Sequence, residues 1–435
     1  MHRRRRWSKV CRILLPGIAR ASRARATAEK MQLDRIGKGN SNQRHQRLPK
    51  FGVLLSGREQ FSPFYGGALA RWTYEVYSRL RDRMEVTVFG YPTSADQLYN
   101  LSHHTSGVWR ACDLISTIPF LRRWDEPLWL RGLIKSLRPL DVVHVHNRPQ
   151  WVRELRRMGY EGTIWLHLHN NHLGHWPAAQ LEALAPQLDG VAVCSAFLRG
   201  TFADRSPSLA AKTTIIFNGV NTQLFTPRDE IREAKTIFFV GRFDEEKGVL
   251  QLVRAYARLL DRHPDAALVI GGTSGFGVHR ETDYVRKVRD LAQSLVRNRN
   301  ARIHFPGYIH HDRDLPTWFQ RATVVASPSL FQEPFGMVNA EAMACGTPVV
   351  GSNRGGIPEV LGEAGILVNP DEVEALADAL SSLLERADYR AALGRAAYLR
   401  CREMFDWDII AQHWASLLEE VRGESGSVRV CPSTL

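Results

Sequence analysis

Two acidic side chains eight positions apart, Glu333 and Glu341, stand in the run Glu333-Pro334-Phe335-Gly336-Met337-Val338-Asn339-Ala340-Glu341, which continues Ala342-Met343-Ala344-Cys345-Gly346-Thr347-Pro348-Val349-Val350. Pro334 suits a first helical turn. Gly346 suits a left-handed C-terminal cap, and Pro348 leads into a strand. The pattern predicts a helix over 334–344, with Glu333 just outside its N-terminus and Glu341 about two turns in. The amides of Phe335, Gly336, Met337 and Val338 then point out of that end, where free N–H groups and a partial positive charge attract phosphate. Taken singly, either glutamate reads equally well as an ordinary surface residue. A second run, Val240-Gly241-Arg242-Phe243-Asp244-Glu245-Glu246-Lys247-Gly248, places Arg242 at a strand end and Lys247 at the opening of the next helix. A planar guanidinium fork and a compact ammonium together suit a diphosphate; the plain alternative is two solvated cations.

Weaker signals surround these two. Phe64-Tyr65-Gly66-Gly67-Ala68 follows a strand, and paired glycines let a backbone approach a ligand closely. The chain has neither a GxGxxG fingerprint nor a GxxxxGK[ST] phosphate loop. Five histidines cluster in two runs: His144 and His146, then His167, His169 and His172. Strand alternation puts His144 with His146 on one face, and His167 with His169 likewise. No carboxylate or thiol at ligand spacing supports a zinc site, so the expectation is a polar wall at the strand ends, with core or surface histidines as the alternative, and no metal. Asp406-Trp407-Asp408 looks like a metal-binding DxD but opens an amphipathic stretch, which favours a helix N-cap.

These residues need strands to carry them. Short apolar runs at 51–55, 86–89, 142–145, 163–168 and 190–194 read as buried strands, with helix-like stretches such as 68–80 and 149–158 between them. The alternation restarts at Thr236. Strands are predicted at 236–240, 266–270, 301–305, 323–326 and 348–351, and helices at 248–260, 283–296, 334–344 and 373–384. Two successive series of strand–helix units imply an α/β protein with two doubly wound parallel sheets, joined around 225–235. Ligands sit beyond the carboxyl ends of such strands, here in the cleft between the two halves.

Composition narrows the class. The 435 residues are 44% hydrophobic and 24% charged, enough for two to three globular domains. No window holds the roughly 18 unbroken apolar residues of a spanning helix. The six cysteines form no CxxC pair, so neither a thiolate zinc site nor a disulfide scaffold is expected, and a reducing compartment fits. The net charge of +13 lies wholly within residues 1–50; the remainder is balanced. Residues 1–47 read as a disordered basic arm, or as the result of a start placed ahead of Met31. Such an arm suits an anionic membrane surface. It lacks the interleaved aromatics of a nucleic-acid binder, so no nucleic acid is expected as a partner.

At this point the residues resemble a known family. Glu333–Glu341 looks like the E-x7-E motif of group 4 retaining glycosyltransferases of the GT-B fold. Arg242–Gly248 (GR-x4-KG), Gly66-Gly67, Asn218-Gly219-Val220 and Gly355-Gly356-Ile357-Pro358-Glu359 agree in order and spacing, over roughly 51–421. His146-Asn147-Arg148-Pro149 and Leu168-His169-Asn170 further resemble the spore-coat and lipopolysaccharide-type branch.

The resemblance implies metal-independent transfer of a hexose-type sugar, with retained configuration, from a nucleotide diphosphate sugar to a hydroxyl on a glycan, lipid-linked or small-molecule acceptor. The setting it implies is cell-surface or spore-coat polysaccharide synthesis in the cytoplasm or at the inner face of the membrane. No cofactor beyond the donor is implied. Arg242 and Lys247, with the amides near Gly336–Val338, would neutralise the leaving diphosphate. Glu333 would bind the donor sugar near its anomeric carbon, Glu341 the ribose, and His169 the sugar, while Gly66 and Gly67 would close over the phosphates. The implied organisation is an arm over 1–47, an acceptor-side domain over 48–227, a nucleotide-sugar domain over 228–404, a helix over 405–422 crossing back, and a tail over 423–435. A nucleotide-sugar epimerase, or a non-catalytic binder of the same fold, is the alternative.

Overall fold

The computed structural model describes residues 47–55, 59–63, 67–91, 98–104, 125–273 and 282–423. By its contacts the chain divides into Met1–Leu48 and Pro49–Leu435, and every element below belongs to the second unit. The expected arm, apart from Arg47, lies outside the described residues, as do Gly66 and the tail from 424 onward.

Seven strands form the first sheet: β1 (Lys50–Leu54), β2 (Glu85–Phe89), β3 (Ser102–His104), β4 (Val142–His146), β5 (Thr163–Leu168), β6 (Gly190–Val193) and β7 (Thr213–Ile215). They pair in parallel in the order β3-β2-β1-β4-β5-β6-β7. Six strands form the second: β8 (Thr236–Val240), β9 (Ala267–Gly271), β10 (Arg302–Gly307), β11 (Val324–Ser327), β12 (Val349–Ser352) and β13 (Ile366–Val368), parallel in the order β10-β9-β8-β11-β12-β13. Five helices matter for the site: α1 (Ala68–Ser78), α2 (Ala196–Ala203), α3 (Val249–Leu259), α4 (Met337–Ala344) and α5 (Trp407–Gly423).

Alternation along each strand explains why both faces are covered. Phe51 and Val53 of β1 face Trp72, Tyr77 and Trp414, whereas Leu54 belongs to the opposite cluster with Trp129 and Trp151. In β8, Ile237 and Phe239 pack with Val249, Leu252 and Tyr256 on one side, while Phe238 joins the other. Parallel strands buried on both faces read as continuous apolar runs, which is how these two appear. One apolar cluster continues from Leu54 and Val145 to Phe225, Phe238 and Ala344, so the halves share a core.

The chain returns to the first sheet through α5. Asp406 caps it, Oδ1 accepting from the Asp408 amide at 2.8 Å, and Thr222 donates to its other oxygen. Trp414 on α5 stacks edge-on to Trp72 of α1 and donates Nε1–H to the Tyr77 hydroxyl at 3.2 Å.

The longer strands fall within a residue or two of their expected bounds. β3, β7 and β13 escape sequence reading because each has three residues, too few for a period of two to register, and none is fully buried.

Candidate active site

The order of the second sheet reverses between neighbouring strands β8 and β11, and open α/β sheets take ligands at the carboxyl ends of such a pair. Both leading motifs emerge there. Beyond β8, Arg242 precedes a 3-10 turn over Glu245–Lys247, capped by Asp244 Oδ1 accepting from the Lys247 amide at 3.2 Å. Gly248 leaves the turn at φ +70°, and a Cβ there would lie 2.0 Å from the Pro328 carbonyl oxygen. Lys247 therefore closes a turn instead of opening a helix, and α3 begins at Val249.

The loop after β11 docks on that turn. The Leu330 and Phe331 amides and the Ser329 hydroxyl all donate to the Glu246 carbonyl, at 2.7, 3.1 and 3.0 Å. This brings Lys247 Nζ against Glu333 Oε1 in a close ion pair between residues 86 positions apart. Ser329 Oγ also lies 3.0 Å from the same oxygen, so its one hydrogen is shared between the Glu246 carbonyl and this carboxylate. Arg242 is held instead by Asp244 and Glu246, at 3.2 Å each. Gly355 and Gly356 lie flat against the Glu333 main chain. The Gly356 amide donates to the Glu333 carbonyl at 2.7 Å, and a Cβ on Gly355 would lie 2.2 Å from that oxygen.

Three expectations about the acidic motif need correction. The helix starts at Met337, not Pro334, because Ser195 Oγ of the first half donates to the Pro334 carbonyl at 2.5 Å and Gly336 turns left-handed at φ +92°. Glu341, fifth in α4, is consequently one turn in, not two. The Phe335 and Gly336 amides therefore precede the helix and do not belong to its first turn; the Phe335 ring, 2% exposed, packs against Phe217 and Phe405 at the joint between the halves. Met337 and Val338, in the first turn, have no preceding turn to receive their amides.

The first half supplies the facing wall. Cys194 Sγ lies 3.8 Å from the His169 carbonyl and 3.7 Å from the Pro334 carbonyl, so the end of β5 and the Glu333–Pro334 loop share one crevice. Glu359 crosses over to accept from the Ala196 and Phe197 amides at the start of α2, both at 2.6 Å. His169 donates through Nδ1 to Asn218 Oδ1 (2.8 Å) and its Nε2 lies 3.1 Å from His146 Nδ1, so both its ring nitrogens are engaged. Burial pushes its pKa down to about 4 against the opposing pull of Asn218, and it is neutral at neutral pH.

Behind His169, the rings of His144, His146 and His167 lie among Trp72, Trp414 and Tyr77, fully buried and held well below the usual histidine range by burial and by one another. Nitrogens of these three come within 4.8 Å of one another. Their planes, however, are mostly near parallel, at 19° for His144–His167 and 24° for His146–His167. Lone pairs lie in the ring plane, so stacked rings do not converge on an ion at about 2.0–2.1 Å. These three are core residues, the alternative reading, and of the four stacked rings only His169 reaches the crevice.

Sequence reasoning missed four residues. The Gly67 amide is occupied by Glu59, whose Oε1 accepts from Gly67 at 2.7 Å and Ala70 at 3.2 Å; burial raises its pKa beyond what these bonds lower. Arg71 of α1 forms a two-pronged bond across the cleft to Asp312, at 2.7 and 2.9 Å. His311 joins Asp312 Oδ1 (2.7 Å) to Glu341 Oε1 (2.8 Å). Burial alone would lower the His311 pKa; the Glu341 charge and the bonds to both carboxylates raise it to about 9. The signal available was position: His310-His311-Asp312 follows β10 on the same carboxyl edge as the other motifs.

Two doubly wound parallel halves meeting at this crevice define the GT-B class. The fold superposes on Anabaena Alr3699/HepE in complex with UDP (22% identity, TM-score 0.67, 86% of this chain and 100% of that one). It also superposes on a glycosyltransferase from Rickettsia africae ESF-5 (19%, TM-score 0.69, 87% and 100%). In sequence, residues 65–224 match Glycosyltransferase Family 4 and residues 222–400 match Glycosyl transferases group 1. Spore coat protein SA of Bacillus subtilis (strain 168) is 28% identical over 86% of this chain and 100% of its own length. Glycogen synthase of Mycobacterium tuberculosis (strain ATCC 25618 / H37Rv) is 30% identical over 67% and 72%. The chain belongs to the group 4 glycosyltransferases of the GT-B fold, and is a glycosyltransferase enzyme.

Proposed function

We propose that the enzyme moves a hexose-type sugar from a nucleotide diphosphate sugar to a hydroxyl acceptor, with retention of configuration and without a metal. The observation that carries this reading is the Lys247–Glu333 pair at the reversal point of the second sheet, with the first turn of α4 and the buried Glu341 on the same edge. A diphosphate entering there meets the Lys247 ammonium, the Arg242 guanidinium and the Met337 and Val338 amides. These groups stabilise negative charge as it develops on the leaving group. In exchange, Lys247 gives up part of its contact with Glu333, freeing that carboxylate for the sugar hydroxyls. Glu341 takes the ribose. Neutral His169 lines the sugar's side of the crevice without adding a positive charge near an oxocarbenium-like centre. The departing phosphate oxygen removes the acceptor proton on the face it leaves, so no covalent carboxylate is required. The likeness to structures solved with UDP and with UDP-glucose supports a donor of this chemical class.

The acceptor is a glycan, a lipid-linked sugar or a small alcohol, and the full-length similarity to a spore coat protein supports a role in cell-surface or spore-coat polysaccharide synthesis. We place the enzyme in the cytoplasm, with the basic arm as its contact to the inner membrane face. No helix among the described residues is long and apolar enough to cross a membrane. The test is a panel of nucleotide sugars incubated with and without an acceptor alcohol, in excess EDTA, with the anomeric product read by NMR. Glycoside formation with retained configuration is expected. An isomerised nucleotide sugar formed without acceptor would indicate an epimerase instead, and complete loss in EDTA restored by a divalent ion would overturn the metal-free mechanism.

A further inference from the structure

We propose that His311 is a positioning residue that ties the ribose-binding carboxylate of Glu341 to the cross-cleft ion pair of Arg71 and Asp312, so that gripping the ribose and drawing the two halves together are one event. The inference rests on the reading of Glu341 as the ribose ligand.

The geometry fixes the charge state of the ring. Both its nitrogens meet carboxylate oxygens, at 2.7 and 2.8 Å. A neutral imidazole has one N–H and would set its lone pair against an anion at one of those contacts. The ring is therefore an imidazolium, donating through both nitrogens. Arg71, Asp312, His311 and Glu341 then form a chain of alternating sign running from α1 of the first half to α4 of the second. The Arg71 fork binds both Asp312 oxygens, which fixes direction as well as distance. The Phe225 ring packs at 5.3 Å and 66° to the imidazolium, holding its plane. Glu341 is 4% exposed and Oε1 is taken by His311, so a ribose diol meets Oε2 of a carboxylate that cannot swing away. Losing any link loosens Glu341 without touching the diphosphate grip at Lys247.

The test separates ribose from phosphate. UDP, GDP and ADP are titrated into the full-length protein by calorimetry beside inorganic pyrophosphate, and the nucleotide that wild type binds best is carried forward. His311→Gln and Asp312→Asn should each weaken that nucleotide about tenfold, a free-energy change of about 1.4 kcal/mol, while pyrophosphate affinity stays within twofold. The 2′,3′-dideoxy nucleotide should lose little. Arg71→Ala, which breaks the link at the first half, should weaken the nucleotide in the same sense, with pyrophosphate again within twofold. Circular dichroism establishes that each variant is folded. Nucleotide affinity unchanged in His311→Gln, or pyrophosphate and nucleotide weakened alike, would overturn the proposal while leaving Glu341 as the ribose ligand. Wild type that binds pyrophosphate and none of the nucleotides would sink that reading of Glu341 and the relay with it.

Discussion

Histidine has opposite fates in the two halves of this enzyme. In the first half, His144, His146, His167 and His169 stack on one another and on tryptophan, lose their hydration, and stay neutral. In the second, His311 is only partly withdrawn from water, and two carboxylates hold it protonated. Burial acts in the same direction in both places; the neighbours decide the outcome. The first half thus presents an uncharged aromatic wall, and the second carries the charges that a phosphorylated ligand needs.

The widest separation between the halves should appear in acid. The four stacked rings titrate below their unfolded value of about 6.5. Below that pH the unfolded chain binds protons that the folded one refuses, so stability present at neutral pH falls as pH drops toward 4. The fall is at most about 5 kcal/mol per pH unit if all four act. Urea melts at pH 7 and pH 5 measure it, and equal midpoints would mean that the stack is hydrated. Next comes turnover: Lys247→Ala or Glu333→Ala should cost roughly 10²–10³, read as kcat with saturating donor. Variants within a few-fold of wild type would move the chemistry away from the second half. A smaller effect is expected in base. His311 is raised from about 6.5 to about 9, so its stabilising contribution is complete below about 6.5 and lost as pH rises through about 9. Arg71, Asp312 and Glu341 face the ring, and nearby Tyr99, pushed up to about 12, does not titrate in that window. Because the ring is about a third exposed, water screening limits the loss to about 1 kcal/mol. His311→Gln should abolish that alkaline limb in melts between pH 7 and 10. The smallest effect belongs to His167→Leu. Both its ring nitrogens are buried without a partner, and removing them should change stability by about 1 kcal/mol or less; a loss of several kcal/mol would reveal a hidden partner.

Much of this was readable from sequence, for a physical reason. Apolar runs stop at Gly241 after β8 and at Ser327-Pro328 after β11, which is why Arg242, Lys247 and Glu333 could be set at one sheet edge from sequence. The finer assignments failed where a tertiary contact outweighed a local preference. Pro334 suits a helix start, but its carbonyl is claimed by Ser195, and the helix begins later. Arg71 and Asp312 are 241 positions apart, one on an amphipathic helix of the first half and the other in a loop after a strand of the second, and helical or strand periodicity does not say which distant residues meet. Glu59 belongs to a loop, and nothing in its neighbours marks it as the residue that fills the end of α1.

Phe335 sits one residue past Pro334 and two past Glu333, yet its ring is wedged with Phe217 and Phe405 where the halves join. The axle and the tool head are thus cut from one short stretch of chain. A change that eases the packing of one half on the other will also shift Glu333, the carboxylate we propose meets the sugar. Mobility and donor preference should accordingly drift together when variants are selected for either.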